Sequence, residues 1–145
     1  PTWKDIEFIK KNTNLPVILK GITSVEYAKK AVSLGIDAII VSNHGGRTID
    51  TLPASIEILP KIANEIKGKI PILFDGGIKR GTDVIKAISL GASAVMIGRP
   101  IMYGLATAGA LGVAHTLKIL KEELEVSMIF TGCKDIKSIN EDILF

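Results

Sequence analysis

Short apolar runs alternate along this chain with longer stretches in which apolar residues recur every third or fourth position. The uniform runs read as strands buried on both faces, and the 3.6-residue rhythm reads as helices with one packed side. Thr2 with Asp5 predicts a capped helix over Trp3 to Lys11. Pro16 to Lys20 follows as a short strand ending on a lysine. Ser24 opens a second helix whose stripe is Val25, Ala28, Ala31, Val32 and Leu34, with Gly35 as its stop. Asp37 to Val41 is the next strand. Pro53 to Ile66 reads as a helix that Pro60 should break or kink, and Gly68 ends it. Ile70 to Phe74 is the third strand, a helix from Thr82 or Asp83 to Gly91 follows, and Ser93 to Ile97 is the fourth strand. From Leu105 to Phe130 the pattern is helical, in one helix or in two divided near Gly109 and Gly112, with Lys121, Glu122, Glu123 and Glu125 as a solvated end. A short helix is expected near Asp135 to Ile139.

An internal repeat sets the architecture. Ala31 to Gly35 recurs as Ala87 to Gly91, and Pro16 to Leu19 recurs as Pro71 to Phe74, at offsets of 56 and 55 residues. Each repeat therefore holds two strand–helix units, which predicts parallel β/α topology. Unusual residues follow every strand: Lys20-Gly21, Ser42 to Arg47, Asp75 to Arg80, and Gly98-Arg99. Chemistry gathered at the C-terminal ends of all strands is the layout of a (β/α)-barrel, of which four strands make half; a full barrel needs about 250 residues. Val17, Leu19, Ile39, Val41, Ile72, Phe74, Val95 and Ile97 are candidates for the barrel's inward-facing side chains.

Composition narrows the class. At 145 residues and 47% hydrophobic the chain should form one domain with a large core, residues 1–145. A net charge of +3 without a basic, aromatic-interleaved stripe argues against a nucleic-acid partner. The single cysteine, Cys133, excludes an internal disulfide and a CxxC metal site, and no signal peptide is read at the start, so a reducing, cytoplasmic setting is expected. The uncharged run from Pro100 to Leu117 carries glycines, two threonines and His115, which favours a buried helix over a membrane span.

The stretch Asp37-Ala-Ile-Ile-Val-Ser-Asn-His44-Gly-Gly-Arg47 concentrates the chemistry. Gly45 and Gly46 permit a sharp turn. His44 can exchange a proton near neutral pH, and Arg47 can hold a carboxylate through two hydrogen bonds. Together they suit a small acid. Asp75-Gly76-Gly77-Ile78-Lys79-Arg80 and Gly98-Arg99 offer backbone N–H groups free of Cβ obstruction beside cations, the needs of a phosphate site. For one of Lys79 and Arg80 a solvated helix start is the competing reading. Asp75 either accepts hydrogen bonds from a ribose-like chain or caps its own turn. Lys20, closing a buried strand, either stabilises negative charge in a site or reaches solvent while its stem packs. Two distant histidines offer no metal-ligand spacing, and Ser42 lacks the turn of a nucleophilic serine.

The runs Val41 to Arg47, Asp75 to Asp83 and Ile97 to Pro100 resemble the FMN-dependent 2-hydroxy-acid oxidases and dehydrogenases, such as glycolate oxidase and lactate oxidase. The resemblance extends from Trp3 to Cys133 and implies an α/β fold, the C-terminal half (strands five to eight) of a (β/α)8 TIM barrel. It implies FMN as cofactor, with Lys20 beside the flavin N1 and C2 carbonyl and stabilising the anionic reduced ring. Ser42 would touch the flavin, Asp75 would hold the ribityl hydroxyls, and Gly76, Gly77, Ile78, Lys79, Gly98 and Arg99 would surround the phosphate end. His44 would be the base and Arg47 the anchor for the acid. Two positions depart from the family pattern: Lys79, where arginine is usual, and Thr48, where glutamine is common. The activity implied is oxidation of a small (S)-2-hydroxy acid to the 2-oxo acid. Completion by an N-terminal half-barrel or a second copy is expected, as is a homo-oligomer. The alternatives are another phosphate-binding barrel enzyme, akin to isopentenyl-diphosphate isomerase or inosinate dehydrogenase, and an inert half-barrel assembly module.

Overall fold

Four parallel strands form one sheet in the order β1 (Ile18–Ile22), β2 (Ala38–Val41), β3 (Ile72–Phe74) and β4 (Ala94–Val95). The computed structural model describes residues 2–144. Parallel neighbours need a long return path, and helices supply it: α2 (Val25–Ser33), α3 (Ser55–Ile66) and α4 (Gly81–Ser89) join successive strands. A first helix, α1 (Trp3–Lys11), precedes β1, and α5 (Arg99–Phe130) follows β4. At the capped start of α1 the Thr2 N–H and hydroxyl both donate to the Asp5 carboxylate, at 2.6 and 3.0 Å. No helix of the described residues is long and apolar enough to cross a membrane.

The core lies on one side of this sheet. Ile39, Val41, Ile72 and Phe74 are buried against Ala28 and Ala31 of α2, Ile58, Leu59, Ile62 and Ile66 of α3, and Val84 and Ala87 of α4. Val17, Leu19, Val95 and Ile97 pack on the same cluster. These are the side chains the sequence offered as inward-facing in a barrel; they face the helices instead. Side chains alternate along a strand, so the opposite face carries Ile18, Lys20, Ala38, Ile40, Leu73, Ala94 and Met96, with Ile18 46% and Met96 37% exposed. Both edge strands pair on one side only among the described residues.

Several element boundaries differ from the sequence pattern. The first strand begins at Ile18 rather than Pro16, the third at Ile72, and the fourth shrinks to two residues paired with β3. Helix α3 runs through Pro60. Proline costs a helix interior about 3 kcal/mol, whereas burying Ile58, Leu59, Ile62 and Ile66 gains roughly 1.5–3 kcal/mol each. Burial wins. Helix α4 starts at Gly81, and Asp83 inside its first turn accepts from the Lys79 and Arg80 N–H groups, both at 2.9 Å. The segment expected as a terminal helix is a 3-10 turn, Ile136–Ser138.

Helix α5 is in fact two helices folded back on each other, because Ala108 and Gly109 leave helical geometry and Gly109 takes φ +57°. Gly104 and Gly112 make the close crossing: a Cβ on Gly112 would lie 1.9 Å from the Gly104 carbonyl oxygen. The run from Pro100 to Leu117 is therefore not a buried helix. Gly104 and Gly112 pack on each other and larger residues turn outward, with Tyr103 66% and Leu111 80% exposed. The second of the two helices docks on α4, where the Gly81 N–H donates to Glu123 at 2.9 Å. Glu123 is thus a docking residue and not merely part of a solvated end. At the opposite edge of the sheet, Asp37 accepts from the Val17 N–H at 2.7 Å and from Lys10 at 3.0 Å. These partners, the Val17 N–H foremost, hold its carboxyl below the usual carboxylate range.

A Cβ on Gly81 would sit 2.1 Å from the Leu124 backbone nitrogen. Gly81→Ala should force α4 and α5 apart and lower stability by about 1–3 kcal/mol, the range for an overpacked contact. Urea denaturation followed by circular dichroism measures this, and an unchanged midpoint would show that the docking is loose.

Candidate active site

The C-terminal ends of all four strands open onto one cavity of about 620 Å³. Its walls come from one strand and three loops: Lys20 from β1, His44 to Thr48 after β2, Asp75 to Lys79 after β3, and Met96 to Pro100 with Met102 after β4. Parallel pairing brings these distant stretches together.

Ser42 and Lys20 form the floor. Ser42, fully buried, accepts from Lys20 Nζ at 2.8 Å and from the His44 N–H at 3.1 Å. Lys20 Nζ also donates to Asp75 at 2.5 Å. The lysine is 39% exposed, because β1 is an edge strand, so its charge is both paired and partly hydrated. That removes the cost of burying it alone. Asp75 therefore spends one carboxylate oxygen on Lys20, from the strand two places away.

The loop after β2 is a 3-10 turn, His44–Gly46, in which His44, Gly45 and Gly46 all have positive φ, at 56, 69 and 74°. For the two glycines this is free; for His44 it costs on the order of 1–3 kcal/mol. The surroundings hold it there. Asn43 accepts from the Gly45 N–H at 3.1 Å and donates to the Pro53 carbonyl at 3.3 Å, while the Asn43 N–H donates to Ser55 Oγ at 3.0 Å. Ser55 is buried at the start of α3 and also backs onto Gly76, where an added Cβ would lie 3.0 Å from its Oγ. One serine thus braces both the His44 loop and the Gly76-Gly77 loop.

Of the two candidate cations after β3, Lys79 lines the cavity, whereas Arg80 reaches away to Glu123 at 3.7 Å. Arg99 begins α5 and extends across the cavity toward the second loop: a Cβ on Gly45 would be 3.6 Å from its Nη2. Gly77 and Gly98 face open space, with nothing within 4 Å of an added Cβ. Ile78 is buried in the core and also lines the cavity. All the residues singled out by sequence, Lys20, Ser42, His44, Arg47, Asp75, Gly76, Gly77, Ile78, Lys79, Gly98 and Arg99, lie in or directly beneath this one cavity. The lining cations Lys20, Arg47, Lys79 and Arg99 face a single acid, Asp75, so the cavity is built for anions.

Sequence reading passed over Asn43, Ser55, Met96 and Met102. Met96 had a signal: it continues, two residues on, the face of β4 that Ala94 presents away from the helices. Ser55 had none, since its role depends on Asn43 and Gly76 meeting it in space. His115 lies exposed on α5, away from the cavity. Among the described residues no group of three or more His, Cys, Asp or Glu could hold a metal.

Comparison with known proteins places this arrangement. The family described as FMN-dependent dehydrogenase matches residues 1–145. A peroxisomal (S)-2-hydroxyacid oxidase of Arabidopsis thaliana is 51% identical over 141 residues, covering 97% of this chain and 39% of that protein. An L-lactate oxidase of Nostoc sp. is 47% identical, covering 99% of this chain and 39% of the relative. The crystal structure of a mandelate oxidase superposes with a TM-score of 0.94 at 45% identity, over 97% of this chain and 41% of that one. The chain spans about two fifths of the length of the curated relatives it matches.

Proposed function

The chain belongs to the FMN-dependent dehydrogenase family, and from that footing we propose that it is the C-terminal half, strands five to eight, of a (β/α)8 barrel that oxidises a small (S)-2-hydroxy acid of the glycolate or lactate class to the 2-oxo acid. The observation that carries this is the convergence of a histidine, an arginine and two glycine–cation loops on one cavity.

The residues present fit FMN. Asp75 offers a carboxylate to hydroxyls, and the open approach to Gly77 and Gly98 beside Lys79 and Arg99 suits a phosphate. When bound, FMN supplies the two-electron acceptor. Lys20, steadied by Ser42 and Asp75, would hold a positive charge beside bound flavin and stabilise its reduced, anionic form. Arg47 holds the substrate carboxylate through its two-pronged guanidinium. His44, fixed by the backbone bond to Ser42, takes up a substrate proton on its imidazole. Residues 1–145 form a single domain, whose exposed sheet face and two unpaired edges are covered by a first half-barrel or by a second copy; unpaired edges invite such pairing.

In the protein with its first half restored, Arg99→Ala should weaken FMN binding more than about tenfold, or 1.4 kcal/mol. Fluorescence titration of the apoprotein reads this, and unchanged affinity would remove Arg99 from the phosphate site. His44→Ala should leave flavin bound yet slow its reduction by the acid at least roughly a hundredfold in stopped flow. A normal rate in that variant would show that His44 is not the base. The 145-residue chain alone should sediment as an associated species and should not turn over glycolate or lactate. A monomer that oxidises either acid would overturn the half-barrel reading.

A further inference from the structure

We propose that Gly21 is a positioning residue for His44, acting through the space its absent side chain leaves beneath the imidazole; the inference rests on the reading of His44 as the base.

Strand β1 carries an extra residue at this point. Lys20 pairs with Ile40 and Ile22 with Val41, so Gly21 has no partner of its own and forms a bulge. Bulges re-aim neighbouring side chains, and this one sits between Lys20 and the end of the strand, at φ +91°. The imidazole of His44 lies directly over it. A Cβ at position 21 would stand 2.6 Å from His44 Cε1, 3.3 Å from Nε2 and 3.5 Å from Nδ1. It would thus press on the ring edge that carries both nitrogens.

His44 has little room to retreat as a unit. Its backbone is tied to Ser42 Oγ, and the next residue is tied to Asn43 Oδ1. An added methyl group at position 21 must therefore turn the ring about its side-chain bonds. Lys20 keeps its own partners, Ser42 and Asp75. The effect is directed at the base and spares the cationic floor.

The test uses the complete, flavin-loaded enzyme. Gly21→Ala should slow flavin reduction roughly a hundredfold per bound flavin, the scale of an ångström-sized misplacement, with KM for the acid little changed because Arg47 is untouched. In a His44→Ala background the same substitution should alter the rate by no more than about twofold, within the tolerance of such a cycle, because the side chain it acts through is already gone. A crystal structure of Gly21→Ala should show the imidazole turned out of the cavity. Alanine at positive φ is itself strained, so Gly91→Ala serves as control. Gly91 has φ +102° and an added Cβ would lie 2.5 Å from Ala63 Cβ, away from the cavity; the variant should lose stability but keep its rate per bound flavin. A normal rate in Gly21→Ala, or an equal loss in both backgrounds, overturns the proposal. If Gly21→Ala fails to take up flavin, the wild-type holoenzyme decides: an imidazole beyond about 4.5 Å from Gly21, outside contact range, overturns it, and one in contact supports it. An undiminished rate in His44→Ala alone would instead overturn the reading of His44 as the base.

Discussion

Parallel pairing of the four strands is the constraint from which the site follows. A parallel neighbour can be reached only by carrying the chain back along the outside, so every strand ends at the same edge, and crossovers of one hand between strands added in sequence order put α2, α3 and α4 on one face. Lys20 and Asp75, 55 residues apart, meet there as an ion pair. So do Arg99 and Gly45, which come from the fourth and second loops. The cavity is not carved into a finished fold; it is the edge that the topology leaves.

The polar residues at that edge serve two purposes that pull against each other. Cations must be present in number to hold anions, yet they must not repel one another out of position. Lys20 resolves this through Asp75 and Ser42, and Arg80 is drawn away by Glu123, leaving Arg47, Lys79 and Arg99 facing the cavity. The strained backbone at His44 belongs to the same design. Positive φ at a histidine persists only where neighbours over-determine it, and Ser55, Ser42 and Asn43 do so by accepting from the successive N–H groups of Asn43, His44 and Gly45.

The same topology leaves one face of the sheet without helices. Ile18 and Met96 stand exposed there while Ile39 and Phe74, on the other face, are sealed. The asymmetry arises because all the crossover helices lie on one side. The α5 hairpin adds a second apolar surface around Tyr103 and Leu111, opened when Gly104 and Gly112 take up the inner contact.

The amino-acid sequence by itself determined the alternation of strands and helices, the repeat, and most of the polar residues of the cavity. Each of these depends on local pattern: apolar period, glycine stops, and unusual polar residues placed just after a strand. His44, Arg47, Asp75 and Arg99 were legible for that reason, as was the presence of a cation at Lys79 or Arg80. Tertiary structure alone decided what local pattern cannot encode. Which face of each strand meets the helices followed from packing, since Val41 and Ile40 are equally apolar in sequence. Pro60 stayed helical because burial on α3 outweighs its local cost. The run from Pro100 to Leu117 turned outward because its glycines could pack on each other. Lys79 and Arg80 are adjacent cations, yet Lys79 lines the cavity while Arg80 pairs with Glu123, which reaches it from a helix more than forty residues later. Such choices are settled by which surfaces meet in space, and a reading of neighbours along the chain has no access to them.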